Sequence, residues 1–148
     1  MSASDIFPNI FHMRFVVRAS ANCSAYAVLN AEQKSAVYLS LSDTVRGAVF
    51  IDGKVYKGDN FCAAEFGHTI VQPGGRSCWC GKKGCLNAYC SSEVLTEHGA
   101  YALEQFFDRL ETGEPEYKEC WEEYLEYLQC RLQISEWHLT AILSWEER

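Results

Sequence analysis

The sequence predicts an α/β domain organised around a compact loop rich in cysteine and glycine, and three observations carry that reading. Short apolar runs with β-branched and aromatic residues recur between Ala36 and Val71, separated by turn residues, as strands do. Beyond Leu86, apolar residues return every three or four positions, as on amphipathic helices. Between these regions lie His68, Cys78, Cys80 and Cys85, one imidazole and three thiols in a single stretch.

The elements follow in order. Residues 1–14, interrupted by Pro8, form an irregular leader. Phe15-Val16-Val17 is short and apolar and predicts a strand. Ala21 to Glu32 is Ala-rich and predicts a helix, with the Ser20 hydroxyl placed to cap its first amides. Ala36 to Leu41 predicts a buried strand and Gly47 to Ile51 a second, joined by the polar turn Ser42-Asp43-Thr44-Val45-Arg46. Asp52-Gly53 is a strong hairpin signal, and Lys54-Val55-Tyr56 returns from it. Thr69-Ile70-Val71 predicts a third strand, after which Pro73-Gly74-Gly75 turns the chain into that loop.

Helices make up the remainder. Leu86 to Cys90 begins a helix out of the loop, and another short one holds Val94 and Leu95. Ala100, Leu103, Phe106, Phe107 and Leu110 share one helical face, and Gly113-Glu114-Pro115 ends it. Trp121, Leu125, Leu128 and Leu132 mark a longer helix whose outer carboxylates, Glu119, Glu122, Glu123 and Glu126, read as a solvated surface. Ile134 to Ser144 fits either the end of a helix or a last strand. The expected architecture is a hairpin plus a third strand, with helices on one face and the loop, residues 68–85, at one end.

Three thiolates and an imidazole suit zinc, which takes soft sulfur and borderline nitrogen ligands in a tetrahedron. The spacing Cys-x-Cys-x4-Cys is compact, and Gly81 and Gly84 let the backbone fold between ligands. Four protein ligands leave no open position, so the expected role is structural. The alternative is four unrelated residues in a cysteine-rich chain.

Composition narrows the function classes. With 13 basic against 20 acidic residues the net charge is −7, which argues against a counterion-displacing nucleic-acid surface. No apolar run approaches a membrane span, and the start shows no signal-peptide pattern. A reducing cytoplasm is therefore the expected location. The eight cysteines then divide into three metal ligands and five others, Cys23, Cys62, Cys90, Cys120 and Cys130, most of them small buried hydrophobes.

Glu65-Phe66-Gly67-His68, followed by Cys-x-Cys-Gly-x-x-Gly-Cys-Leu, resembles the signature of the ROK family (repressors, open reading frames and sugar kinases). The Asp52-Gly53-Lys54 turn, Gly58 and Ala63-Ala64-Glu65 fit the same pattern, and the resemblance runs from about Phe15 to about Leu143. It implies a partial actin-like, ribonuclease H-like ATPase lobe over residues 15–148, in which residues 86–148 are the helical part. The family's first-lobe glycine-rich phosphate loop has no counterpart in this chain.

The resemblance also implies site residues. Arg18-Ala19-Ser20-Ala21-Asn22 stands where the family has Glu-Asn-Asp-Ala-Asn, so Ser20 occupies the position of the general base and Ala19 that of a sugar-contacting Asn. Asn22 matches. Glu65 and His68 match sugar-contacting positions, and His68 is also a metal ligand in the family. Asn87 stands where a further sugar-contacting Glu is usual. Ser42, Thr44 and Arg46 replace glycines of the turn that approaches ATP phosphates, and Asp43 adds a negative charge there. Arg46 is a candidate phosphate ligand, and an ordinary polar β-turn is the plainer reading.

The expected function is a ROK-family fragment: a non-catalytic, sugar-kinase-like zinc-binding domain related to sugar-responsive transcriptional regulators. The alternatives are an ATP-dependent kinase of the glucose or N-acetylglucosamine class and a small zinc-binding interaction module. Expected partners are a sugar ligand and either a second copy or a partner lobe, because the strands at 36–41 and 47–51 are apolar on both faces. Direct nucleic-acid and membrane contacts are not expected.

Overall fold

The computed structural model describes residues 14–15, 35–60, 62–96, 102–132 and 140–145. The sheet holds β1 (Arg14–Phe15), β2 (Ala36–Leu41), β3 (Val45–Ile51), β4 (Lys54–Tyr56) and β5 (Thr140–Trp145) in the order β1-β5-β2-β3-β4. β2, β3 and β4 form an antiparallel meander, whereas β5 lies parallel between β1 and β2. Asp52 and Gly53 have φ of 52° and 75°, the positive pair that a tight hairpin needs, and Ile51 faces Lys54 across it. The expected helix at 21–32, its Ser20 cap and the continuation of the first strand through Val17 lie outside the described residues.

Two expectations about strands are corrected. Thr69-Ile70-Val71 does not join the sheet. Its backbone pairs with the returning arm of the metal loop: Val71 N–H donates to Gly84 O at 2.7 Å and Leu86 N–H to Thr69 O at 2.9 Å. Only an isolated bridge, Ile70 to Cys85, remains of strand character there. The sheet instead gains Thr140–Trp145, which resolves the ambiguity of Ile134–Ser144 in favour of a strand. β3 also begins at Val45, earlier than expected, so the turn shortens to Ser42–Thr44.

Among the described residues four helices follow β4: α1 (Asn87–Cys90), α2 (Ser92–Thr96), α3 (Leu103–Thr112) and α4 (Pro115–Leu132). Pro115 opens α4, where a missing N–H costs nothing. All of β2 is buried. Its Val37, Leu39 and Leu41 meet Leu86, Tyr89, Leu95, Phe106, Tyr117, Trp121, Tyr124 and Leu128 in one cluster, so the helices cover one face as expected. On the opposite face Tyr38, Ala48 and Phe50 are buried too. The α4 core face is more aromatic than its Leu pattern suggests, because Tyr117, Trp121 and Tyr124 carry it. α1 and α4 are tied reciprocally: Tyr124 O–H donates to Cys90 O at 2.8 Å, and Cys90 S–H to Tyr124 O at 3.7 Å.

Phe106 is fully buried amid Phe107, Tyr117 and Trp121. Phe106→Ala is expected to cost about 3–5 kcal/mol, read as a shift in the urea midpoint at unchanged slope. The cysteines split unevenly. Cys90 and Cys120 are buried as expected, Cys62 is exposed, and Cys23 and the Cys130 side chain lie outside the described residues. Burial raises the Cys90 thiol strongly and the Cys120 thiol from 9.0 to about 11, and it raises Tyr124 as well. Groups whose folded pKa lies above the unfolded one stabilise fully below the unfolded value and lose that contribution as pH rises. The thermal midpoint is therefore expected to fall from about pH 9 toward pH 11 and to recover on back-titration.

Candidate metal centre

Three pieces of backbone bring the four donors together. The first is the 3-10 turn Phe66–His68, which lies flat on β3. Gly67 makes this possible, since a Cβ there would collide with the Val45 carbonyl. The turn is entered through Ala64, held at φ 66°, a costly position for a side-chain-bearing residue. The second piece is the knuckle at Cys78–Gly81, in which Gly81 N–H donates to Cys78 O at 3.0 Å and Cys78 N–H to Lys82 O at 2.9 Å. The third is the return arm at Gly84 and Cys85. Gly84 has φ 83° and a Cβ there would strike the Gln72 carbonyl, so only glycine lets the arm close on 70–72.

A ring nitrogen of His68 and the sulfurs of Cys78, Cys80 and Cys85 all lie within 4.8 Å of one another. Cys78 Sγ is 3.8 Å from His68 Nδ1, and Cys80 Sγ is 3.7 Å from Cys85 Sγ. A tetrahedron with metal–sulfur bonds of about 2.3 Å has sulfur–sulfur edges of roughly 3.8 Å, so the donor set could hold one metal ion. These separations are too long for a disulfide, whose bond is about 2.05 Å. The backbone bond from Lys82 lowers the Cys80 thiol below its ordinary value. Desolvation pushes Cys85 up to about 12, so a metal there would have to displace a proton. With Nδ1 turned to the sulfurs, the other ring nitrogen of His68 is the one available to a second partner.

The remaining sequence-predicted residues have distinct surroundings. Glu65 caps this turn and is exposed; its carbonyl accepts His68 N–H at 3.1 Å. Asn87 is buried, and its Oδ1 accepts Val45 N–H at 2.7 Å, which ties α1 to the start of β3. Asn87→Ala leaves that amide without its acceptor and is expected to cost about 1–3 kcal/mol in denaturant unfolding. In the β2–β3 turn, Ser42 Oγ donates to Thr44 O at 3.1 Å, Arg46 Nε to Thr44 Oγ1 at 2.9 Å and Ser92 Oγ to Asp43 Oδ1 at 3.3 Å. None of Ser42–Arg46 has a positive φ. Ser20, Ala19 and Asn22 lie outside the described residues.

Sequence reasoning missed Trp79 and Arg76. Trp79 sits between two ligands, is 72% exposed, and meets the His68 ring edge-on at 4.9 Å. Its position between Cys78 and Cys80 was the only available signal. Arg76 reaches from the loop to α4, where its Nη2 lies 3.1 and 2.9 Å from the two Glu123 carboxylate oxygens.

A family model described as ROK family matches residues 5–135. N-acetylmannosamine kinase of Citrobacter koseri is 33% identical over 76 residues, which is 51% of this chain and 26% of that protein. The Salmonella arizonae protein of the same name is 35% identical over the same length. The chain thus spans about a quarter of the length of the curated relatives it matches. Among solved structures, a ROK hexokinase from Thermus thermophilus aligns with a TM-score of 0.71 at 24% identity, over 86% of this chain and 47% of that one. A ROK family glucokinase from Streptomyces griseus, in complex with glucose and AMPPNP, aligns at 0.70 and 22%, over 88% and 51%. At those identities the likeness is one of fold, and it agrees with the expected α/β class. No helix among the described residues is long and apolar enough to cross a membrane.

Proposed function

Because this chain belongs to the ROK family, we propose that it is a sugar-kinase-like, zinc-holding domain that binds a sugar without phosphorylating it. The observation that carries the reading is the closure of His68, Cys78, Cys80 and Cys85 to within 4.8 Å, with His68 on the same short turn as Glu65. Zinc on this set would fix the imidazole, and the Glu65 carboxylate and the outer His68 nitrogen would bind sugar hydroxyls. Asn87 has a smaller part in this reading, because its carbonyl oxygen is already used by Val45. A reducing, cytoplasmic setting goes with it, since the thiols must stay free to ligate. The partial domain is taken as residues 15–148.

The non-catalytic half rests on Ser20 in place of a base and on the β2–β3 turn. That turn carries Asp43 where phosphate would approach, and its side chains are bonded among themselves and to α2. The similarity to N-acetylmannosamine kinases favours the other reading, an active ATP-dependent sugar kinase. Calorimetric titration with glucose, N-acetylglucosamine and N-acetylmannosamine tests the binding half. Saturable binding that Glu65→Ala weakens at least about tenfold is expected; a charge-assisted hydrogen bond of roughly 1.5–3 kcal/mol corresponds to that change. Absence of binding across the panel would remove the sugar reading.

A further inference from the structure

We infer that Arg76 and Tyr89 form a latch through which helix α4 holds the metal loop closed, so that they act as positioning residues for the metal centre. Arg76 lies two residues before Cys78, on the strand-like entry to the knuckle, where Gly84 N–H donates to its carbonyl at 2.8 Å. Its side chain leaves the loop altogether and meets both carboxylate oxygens of Glu123 on α4. The guanidinium also lies 4.7 Å over the Tyr89 ring, and Arg76 N–H donates to the Tyr89 hydroxyl at 2.8 Å. Tyr89 is buried and stands on α1, and its ring packs on Tyr127 of α4 at 4.1 Å.

A single half-exposed ion pair would count for little. Here one residue joins backbone, cation–π and two-oxygen carboxylate contacts, and all of them converge on the segment that leads into Cys78. The metal donors themselves come from the 3-10 turn and the loop, and none comes from α4. Without the latch, the knuckle's described anchors to the domain are 69–72, 84–86, the edge contact of Trp79 with His68 and the metal. A loop freed on that side can swing Cys78 and Cys80 off the metal together, which is a route to release that the latch closes. The inference rests on the metal reading above.

The test loads the full chain with cobalt(II), whose tetrahedral thiolate spectrum reports the site, and follows release to excess chelator. Arg76→Glu and Glu123→Arg each set like charges together and are expected to speed release about fivefold or more. The double variant Arg76→Glu/Glu123→Arg restores the pair and is expected within about twofold of the native rate. Tyr89→Phe, which removes only the acceptor for Arg76 N–H, is expected to speed release as well. Glu122→Arg is the control: its carboxylate faces Lys118, at 3.9 Å, and release is expected at the native rate. Native uptake with all of these variants releasing at the native rate would overturn the inference alone. A double variant no better than the worse single would overturn it too. No cobalt uptake by the native chain would overturn the metal reading, and the inference with it.

Discussion

Sugar-dependent ATP consumption is expected to be absent from this chain across glucose, N-acetylglucosamine and N-acetylmannosamine, and Ser20→Asp alone is expected not to create it. Loss of a positioned base costs on the order of 10²–10⁴ in rate. Returning the carboxylate repairs that term only. Phosphoryl transfer depends chiefly on positioning and on stabilising charge at the transferred group. In the β2–β3 turn the Asp43 carboxylate accepts from Ser92, and the Arg46 Nε that would offset it donates to Thr44. A coupled assay of ATP turnover on the native chain and on Ser20→Asp checks this. Turnover in the native chain that Glu65→Ala abolishes would establish the kinase reading instead.

The second large effect concerns the metal ligands. Cys85→Ser and Cys80→Ser are each expected to release the metal and open the loop to protease, with cleavage concentrated between Gln72 and Gly84. Structural zinc contributes roughly 10–16 kcal/mol of apparent binding free energy at neutral pH in small domains. The loop has little apolar burial to replace it: of residues 72–84 only Cys78 and Gly84 are buried, and glycine has no side chain to contribute. The core around Phe106 and Leu128 holds no residue of 72–84, so far-UV helicity is expected to persist while the loop is cut. Cys62→Ser, which alters an exposed thiol outside the donor set, is expected to change neither metal content nor cleavage.

Features set by a few adjacent residues were legible. Asp52-Gly53 announces its turn because both positions need positive φ, and the metal set is readable because three of its four ligands fall in one short loop. Features set by distant pairing were not. Thr140–Trp145 lies between two parallel strands, where apolar runs lose their alternation, and its partner Ala36–Leu41 is far away in sequence. Thr69-Ile70-Val71 has strand composition, yet its amides bond to the adjacent return arm, and composition does not reveal which partner takes them. Arg76 and Glu123 each look like ordinary surface charge in sequence, and only the fold joins them. Asn87 was readable as a position in a motif but not as the acceptor for Val45 N–H.

His68, Cys78, Cys80 and Cys85 are expected to close on a single zinc that holds this domain's site together. Zinc content of the chain, purified under reducing conditions without chelator, tests it most directly, together with the same measurement on Cys80→Ser. One zinc per native chain and none in the variant is the expected result. A native chain free of zinc, with the Cys78, Cys80 and Cys85 thiols all reacting freely, would contradict it.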